Sequence, residues 1–293
     1  MKKISNFKGL RFLYELSTLY SRKNIFLVTG KKSYEASGAK KIIGKILQSE
    51  NVIQFSDFCV NPKIEDAKKG AKIARENHIQ VIIAVGGGSV LDIAKLVKAF
   101  YLAEGNESDL ATGKEKTRDP LIPIIAIPTT AGSGSEATHF AVVYKGSDKY
   151  SLAANCLLPD AVILDGSLVT SGSKYLKACN ALDAMAQAIE SYWAVGSNDE
   201  SRNYALKALK SGWKILPSYV GKKCSDSDAQ TMIEAANLAG KAINISKTTA
   251  AHAWSYGFTT KFNIPHGHAV WLTLPNIFQI HYEIGKSKNT IFC

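Results

Sequence analysis

The feature that most restricts the fold is the apolar run Val81-Ile82-Ile83-Ala84-Val85, which ends abruptly in Gly86-Gly87-Gly88-Ser89. A segment apolar at odd and even positions alike has no solvent face, so as a strand it lies between two covering layers, as in a parallel sheet. Glycines let a backbone approach a ligand without Cβ obstruction, and residues 90–95 then resume with helical spacing, with Ser89 placed as N-cap. Unpaired N–H groups and the dipole at a helix start favour an anion, so the turn is a phosphate site. The pattern is neither G-x-G-x-x-G nor a Walker A loop, and alone it also fits a plain strand-to-helix turn.

The same alternation runs through the first half of the chain. Strands are expected at residues 25–28, 52–55, 81–85, 122–127 and 161–164, with helices at 33–47, 64–77 and 90–101 between them. A second small-residue loop, Pro128-Thr129-Thr130-Ala131-Gly132-Ser133-Gly134-Ser135-Glu136, follows a buried strand. Ligands of open α/β sheets bind beyond the carboxyl ends of strands, where both loops belong, so a nucleotide or dinucleotide is expected there. After Asp165-Gly166-Ser167 the chain turns Ala-rich with helical spacing at 173–193, 200–216 and 226–242. The shift divides it into an α/β domain, 1–167, and an all-helical domain, 168–293.

Lys and Arg number 36 against 25 Asp and Glu, a net charge of +11 that suits an anionic partner. The lysines are spread along the chain and no zinc-finger spacing or RNP-like motif occurs, so a phosphorylated cofactor is expected and nucleic acid is not. The 5 cysteines form no C-x-x-C pair, which fits a reducing cytoplasm and no disulfide framework. The start of the chain has no apolar h-region, and no stretch reaches the roughly 18 apolar residues of a membrane span, so export or membrane embedding is not expected.

A second chemistry is written in the helical half. Asp183 and Gln187 are four apart in a helical segment and share one face, although such pairs also occur by chance. On one unbroken helix His252 and His266 would stand about 21 Å apart. Pro265, just before His266, argues that the helix ends and the chain turns, which can bring the imidazoles together. A carboxylate, an amide oxygen and two imidazoles suit Fe(II), Zn(II) or a similar ion. By spacing alone, packed or surface histidines remain the commoner reading.

Gly86-Gly87-Gly88-Ser89 with Asp92 and Lys95, residues 127–136, Pro159-Asp160 with Asp165, and Pro265-His266-Gly267 occur in the order and approximate spacing of a known group. Over roughly residues 20–285 the chain resembles the iron-containing alcohol dehydrogenase superfamily, whose relatives include glycerol dehydrogenase and dehydroquinate synthase. The resemblance implies an N-terminal Rossmann-like parallel-sheet domain, a dehydroquinate synthase-like helical domain, and a metal in the cleft between them. Carried over by position, the metal ligands are Asp183, Gln187, His252 and His266. The cofactor set is Gly30, Lys31, Asn61, Gly87, Gly88, Ser89, Asp92, Thr129, Thr130, Ser133 and Lys149.

Four departures from the family pattern carry expectations of their own. Gln187 stands where iron enzymes usually have His, and its amide oxygen is a harder, weaker donor. Tyr256 replaces a His near the nicotinamide; a phenol there can donate a hydrogen bond but is a poor base at neutral pH. Val28-Thr29-Gly30-Lys31-Lys32 lacks the acidic residue common in NAD users, so the two lysines favour NADPH. Family members usually continue for several further helices, so the helical domain is expected to be truncated, by about a fifth to a quarter of the expected protein, leaving apolar faces exposed.

The surroundings of Asp183 and His252 resemble a narrower subgroup, the phosphonoacetaldehyde reductases. Lys247, Thr248 and Thr249 would there supply a cation and hydroxyls for a phosphonate, with Lys247 and Tyr256 as the catalytic pair. The expected activity is NAD(P)H-linked, metal-dependent reduction of an aldehyde, in a cytoplasmic homo-oligomer, a dimer. The alternatives are a dehydrogenase of simple alcohols and a non-catalytic nucleotide-binding fragment.

Overall fold

The computed structural model describes residues 5–221 and 224–287. The chain ends, 1–4 and 288–293, which carry the outer limits of both expected domains and Cys293, lie outside the described residues, as does the Lys222-Lys223 pair.

Among the described residues there are eight strands: β1 (Ser5–Lys8), β2 (Asn24–Thr29), β3 (Asn51–Phe55), β4 (Val81–Gly86), β5 (Ile124–Pro128), β6 (Phe140–Lys145), β7 (Asp148–Ala153) and β8 (Ala161–Leu164). Six form one parallel sheet in the order β1-β8-β5-β4-β2-β3, and β6 with β7 makes a separate antiparallel hairpin. Every residue of β4 and β5 is buried, as their two-faced apolar pattern requires. Gly86 of β4 pairs with Pro128 of β5, and the Thr129 N–H donates to the Gly86 carbonyl at 3.0 Å. That register sets the two small-residue loops side by side at one sheet end.

The helices of this half are α1 (Phe12–Glu15), α2 (Ser17–Tyr20), α3 (Ser33–Ala36), α4 (Ala39–Ile46), α5 (Ile64–Glu76), α6 (Gly88–Phe100) and α7 (Glu107–Ala111). The single helix expected over 33–47 is two, because the chain turns at Gly38 with φ +80°. Neither β1 nor the β6–β7 hairpin was expected from the sequence.

The sheet ends at Leu164 and a 3₁₀ turn, Gly166–Val169, leads to α8 (Lys174–Trp193), α9 (Asp199–Val220), α10 (Asp226–Ser246), α11 (Ala250–Phe262), α12 (His266–Trp271) and α13 (Leu274–Ser287). The starts of the three long helices are dictated locally: the Ser173 side chain caps α8, and capping boxes pair Asn198 with Ser201 and Ser225 with Asp228. Among the described residues no helix is long and apolar enough to cross a membrane.

The two halves meet through backbone contact and buried amides. Gly134, at φ +61°, lies against Gly240 of α10 so closely that a Cβ on Gly134 would stand 2.5 Å from the Gly240 Cα. Asn6 donates to Asn237 of α10, Asn237 donates to the buried Glu136, and the His139 N–H donates to Asn244. The helical half is thereby clamped against the loop that follows β5.

Candidate active site

At the nucleotide end, α6 begins at Gly88, with Gly87 in extended conformation (φ −77°, ψ −175°) at the capping position. Ser89 is therefore not the N-cap but lies in the first turn, where its Oγ accepts the Asn61 N–H at 3.3 Å. With no side-chain cap on α6, its first N–H groups are left for a ligand. The cradle is made of both loops: a Cβ on Gly87 would meet Thr130 at 3.3 Å and one on Gly88 would meet the Ser133 Oγ at 2.8 Å. The Thr129 Oγ1 is buried there without a partner, as a hydroxyl awaiting a bound group would be. These features fit a dinucleotide phosphate.

Two of the expected cofactor residues are engaged elsewhere. Asp92 accepts from the Ser135 hydroxyl at 2.6 Å and from the Val142 N–H at 3.2 Å, so it ties α6 to β6 and to the Ser133 loop rather than standing open to a ligand. Beside it the buried Lys95 ammonium is surrounded by oxygens of Ser135, Thr138 and Phe140, which fixes the same loop. Lys31 is not a free cation for a 2′-phosphate: its Nζ lies 2.9 Å from Asp57, which also binds Lys69. The two lysines, through hydrogen bonds and charge, hold the Asp57 carboxyl down to about 2. Asp57 lies beyond β3, so a reading of the β2 turn alone could not include it.

The metal end is built by three helices. Asp183 comes from α8, His252 from α11 and His266 from α12. Asn263 turns left-handed (φ 54°) to end α11 and Pro265 precedes α12, so the break expected at the proline is present. The His252 Nε2 is 3.3 Å and the His266 Nε2 is 3.9 Å from the same Asp183 oxygen, and the imidazole centroids are 5.4 Å apart. One donor atom from each of the three lies within 4.8 Å of the others. Gln187, one turn along α8, is 4% exposed; its Nε2 donates to the Ser133 carbonyl at 3.2 Å, while its Oε1 is buried without a partner. A carboxylate, two imidazole nitrogens and an orphaned amide oxygen fit a divalent ion of the Fe(II) or Zn(II) kind.

The electrostatics divide the two histidines. Burial opposes charge on His252, but hydrogen bonds and charge from Asp183 and Glu190 outweigh it and raise its pKa to about 9. His266 is lowered to about 4, by burial first and then by the charges of His252 and Lys149, against the pull of Asp183. Asp183 is itself lowered: burial resists its charge, but both histidines and Lys149 prevail.

Around this cluster the two residues of the expected catalytic pair have different surroundings. The Tyr256 ring stacks on His266, with centroids 6.1 Å apart and planes at 13°. Burial pushes its phenol up to about 12. Lys247 stands exposed at the C-cap of α10, with φ 66°. The Thr249 hydroxyl donates to Glu190 at 2.6 Å and accepts from the Trp193 indole at 3.0 Å, so it is not a free donor for a phosphonate. The cation placed against Tyr256 is Lys149 of β7, whose Nζ is 3.3 Å from the ring centroid. Burial lowers Lys149 to about 8, against the attraction of Asp92 and Asp183.

Glu190 and Ser255 were missed by the sequence reading. Glu190 meets the Nδ1 of His252, and the Ser255 Oγ lies 3.3 Å from the Nδ1 of His266. The available signal for Glu190 was its place seven residues after Asp183, on the same face of α8.

Two glycine-framed phosphate loops over a parallel sheet, facing a carboxylate–imidazole cluster in a helical half, define a class of nucleotide-linked metal proteins, and comparison gives the family. Residues 7–166 match the family described as iron-containing alcohol dehydrogenase, and residues 177–291 match the Fe-containing alcohol dehydrogenase family, C-terminal. The chain belongs to the iron-containing alcohol dehydrogenase family. It is 30% identical over 261 residues to long-chain-alcohol dehydrogenase 1 of Geobacillus thermodenitrificans, covering 87% of this chain and 65% of that one. It is 31% identical over 225 residues to phosphonoacetaldehyde reductase of Streptomyces viridochromogenes, covering 73% of this chain and 56% of that one. The solved structure of sulfoacetaldehyde reductase from Bifidobacterium kashiwanohense in complex with NAD+ superposes with a TM-score of 0.88 at 29% identity, over 96% of this chain and 76% of that one. The chain thus spans less than two thirds of the length of these two curated relatives.

Proposed function

We propose that the chain reduces a small aldehyde to a primary alcohol, with NAD(P)H bound over the α6 N-terminus and a divalent metal held by Asp183, Gln187, His252 and His266. The observation that carries this reading is the convergence within 4.8 Å of donors from three helices, Asp183 and His252 buried and His266 half-buried, with the partnerless amide oxygen of Gln187 one turn along α8 from Asp183. When bound, the metal would supply Lewis acidity at a carbonyl oxygen and the dinucleotide a hydride. The chain's own residues do the rest. Gly87 and Gly88 admit the pyrophosphate, the Thr129 and Thr130 loop lies against it, and Gln187 holds the Ser133 carbonyl in place. Tyr256 keeps its phenolic proton throughout the neutral range, so it is a donor for the product oxygen and not a base.

For the substrate we favour an aldehyde with an anionic tail, phosphonoacetaldehyde. Two relatives bear the names of reductases of such aldehydes, one a phosphonate and one a sulfonate. Lys149, half-buried against Tyr256, brings positive charge beside the proposed metal ligands, a role the sequence suggests for Lys247. Asp57 pairs with Lys31, so the β2 turn does not single out NADPH over NADH.

The test is to load the chain with Fe(II) or Zn(II) without oxygen and follow oxidation of NADPH and of NADH with phosphonoacetaldehyde and with acetaldehyde. Metal-dependent turnover that prefers the phosphonate and disappears in His266→Ala is expected. A preference for acetaldehyde removes the anionic substrate and keeps the reductase. Absence of turnover with either aldehyde, in a folded protein that binds both metal and NADPH, overturns the reductase reading.

A further inference from the structure

We infer that Glu190 is a positioning residue, which orients the His252 ring so that its Nε2 faces Asp183 and His266; the inference rests on the metal site proposed above. Glu190 is fully buried on α8, two turns beyond Asp183. One carboxylate oxygen meets the Nδ1 of His252. The other accepts the Thr249 hydroxyl at 2.6 Å and the backbone N–H groups of Thr249, Ala251 and His252 at 3.0, 3.0 and 3.4 Å. Those N–H groups belong to the start of α11, which has no side-chain cap of its own. Glu190 therefore caps α11 from another helix with one oxygen and grips the His252 imidazole of that helix with the other.

An ionised carboxylate only accepts, so the ring nitrogen facing it carries the proton. The nitrogen left for an ion is then Nε2, on the Asp183 side at 3.3 Å. His266 is fixed in the same sense by a different group. The Ser255 hydroxyl donates to the His252 carbonyl at 2.7 Å, so its oxygen receives the His266 Nδ1–H at 3.3 Å and again leaves Nε2 toward Asp183. Both imidazoles thus have the outer nitrogen tied to protein and the inner one turned to the cluster. Outer-shell partners of this kind set the tautomer and ring angle of a ligating histidine, and their loss costs about 10–100-fold in metal affinity.

Glu190→Gln separates this role from simple helix capping. The three backbone donors hold the amide oxygen on the α11 side, so the amide N–H₂ is set against Nδ1, and the ring must turn or take the tautomer with hydrogen on Nε2. The experiment measures Zn(II) affinity of the full chain by competition with a chromophoric chelator, for wild type and Glu190→Gln, together with melting of both metal-free proteins. A second arm uses nitrogen NMR of histidine-labelled wild type with Zn(II), which reads the metal-bound ring nitrogen and needs no variant. Expected are His252 bound through Nε2 and an affinity about 10–100-fold weaker in Glu190→Gln. Equal affinity in a folded variant, or binding through Nδ1 of His252, overturns the inference and leaves the metal site standing; if the variant does not fold, the NMR arm decides. A wild type that binds no Zn(II) and no Fe(II) overturns the metal site and this inference together.

Discussion

His252 is a cation held between two carboxylates when no metal is bound, and that gives the metal-free protein a defined pH response. Its folded pKa, about 9, lies above the unfolded value near 6.5, so its contribution to stability is complete below pH 6.5 and is lost as pH rises through 9. Lys95 and Lys149, both held down to about 8 by burial, act in the opposite sense above that pH. Between pH 6.5 and 8 His266, held down to about 4, and the start of the two lysine titrations act against it, so the His252 share, a loss of about 2 kcal/mol, is read as a difference between proteins with and without that imidazole. Denaturant melts of chelator-treated wild type and His252→Gln check this: over that range the wild type should lose stability relative to the variant by about that amount. At the same scale, Gln187→His would replace a hard amide oxygen with imidazole and is expected to tighten Zn(II) binding in the chelator competition. It would also break the bond to the Ser133 carbonyl, at a cost of about 1 kcal/mol seen in the metal-free melt. The family resemblance made the proposed ligands legible, where spacing and the proline before His266 left packed histidines the commoner reading, but Glu190 was not, since a glutamate in an Ala-rich helix reads as solvated until a second helix covers it. Asp57 was invisible for the same reason: its partner Lys31 is 26 positions away.

Secondary structure shows the same division between local and distant causes. Strands β2, β4, β5 and β8 were legible because residues apolar on both faces have only one home, the middle of a layered sheet. The polar strand β1 (Ser5–Lys8) and the β6–β7 hairpin, whose burial alternates along β6, have no such signature. Missing the hairpin meant missing where Lys149 is delivered. The Ser89 cap was misplaced by one element boundary, because Gly87 takes the extended capping conformation itself and the helix starts with Gly88. Packing between helices supplies a sharper test. A Cβ on Gly267 of α12 would fall within the van der Waals radius of the Cys179 carbonyl on α8 and 2.9 Å from the Asp183 Cβ. Gly267→Ala is expected to cost about 1–3 kcal/mol in denaturant melts by overpacking. Because the clash pushes α12 away from α8, it should weaken Zn(II) binding as well.

For the molecule as a whole, the site lies where the two halves are clamped, so ligands bound there report on global stability. A metal at about 100 times its dissociation constant is expected to add about 2.7 kcal/mol, removed by a chelator, because only the folded chain brings α8, α11 and α12 together. Calorimetric melting with Zn(II), with and without chelator, checks this. One side chain spans the clamp. The Gln187 nitrogen holds the Ser133 carbonyl, and the Ser133 hydroxyl borders the glycine turn, while the Gln187 oxygen, buried without a partner, is the one proposed as a metal donor. A shift of the loop on dinucleotide binding would be felt at a bound ion, and by reciprocity the ion would alter the hold on the dinucleotide. Zn(II) affinity should therefore vary with NADPH concentration in this chain and lose that dependence in Gln187→His. An imidazole there would make a firmer ligand and a deaf one; the amide would keep a metal and a dinucleotide in conversation.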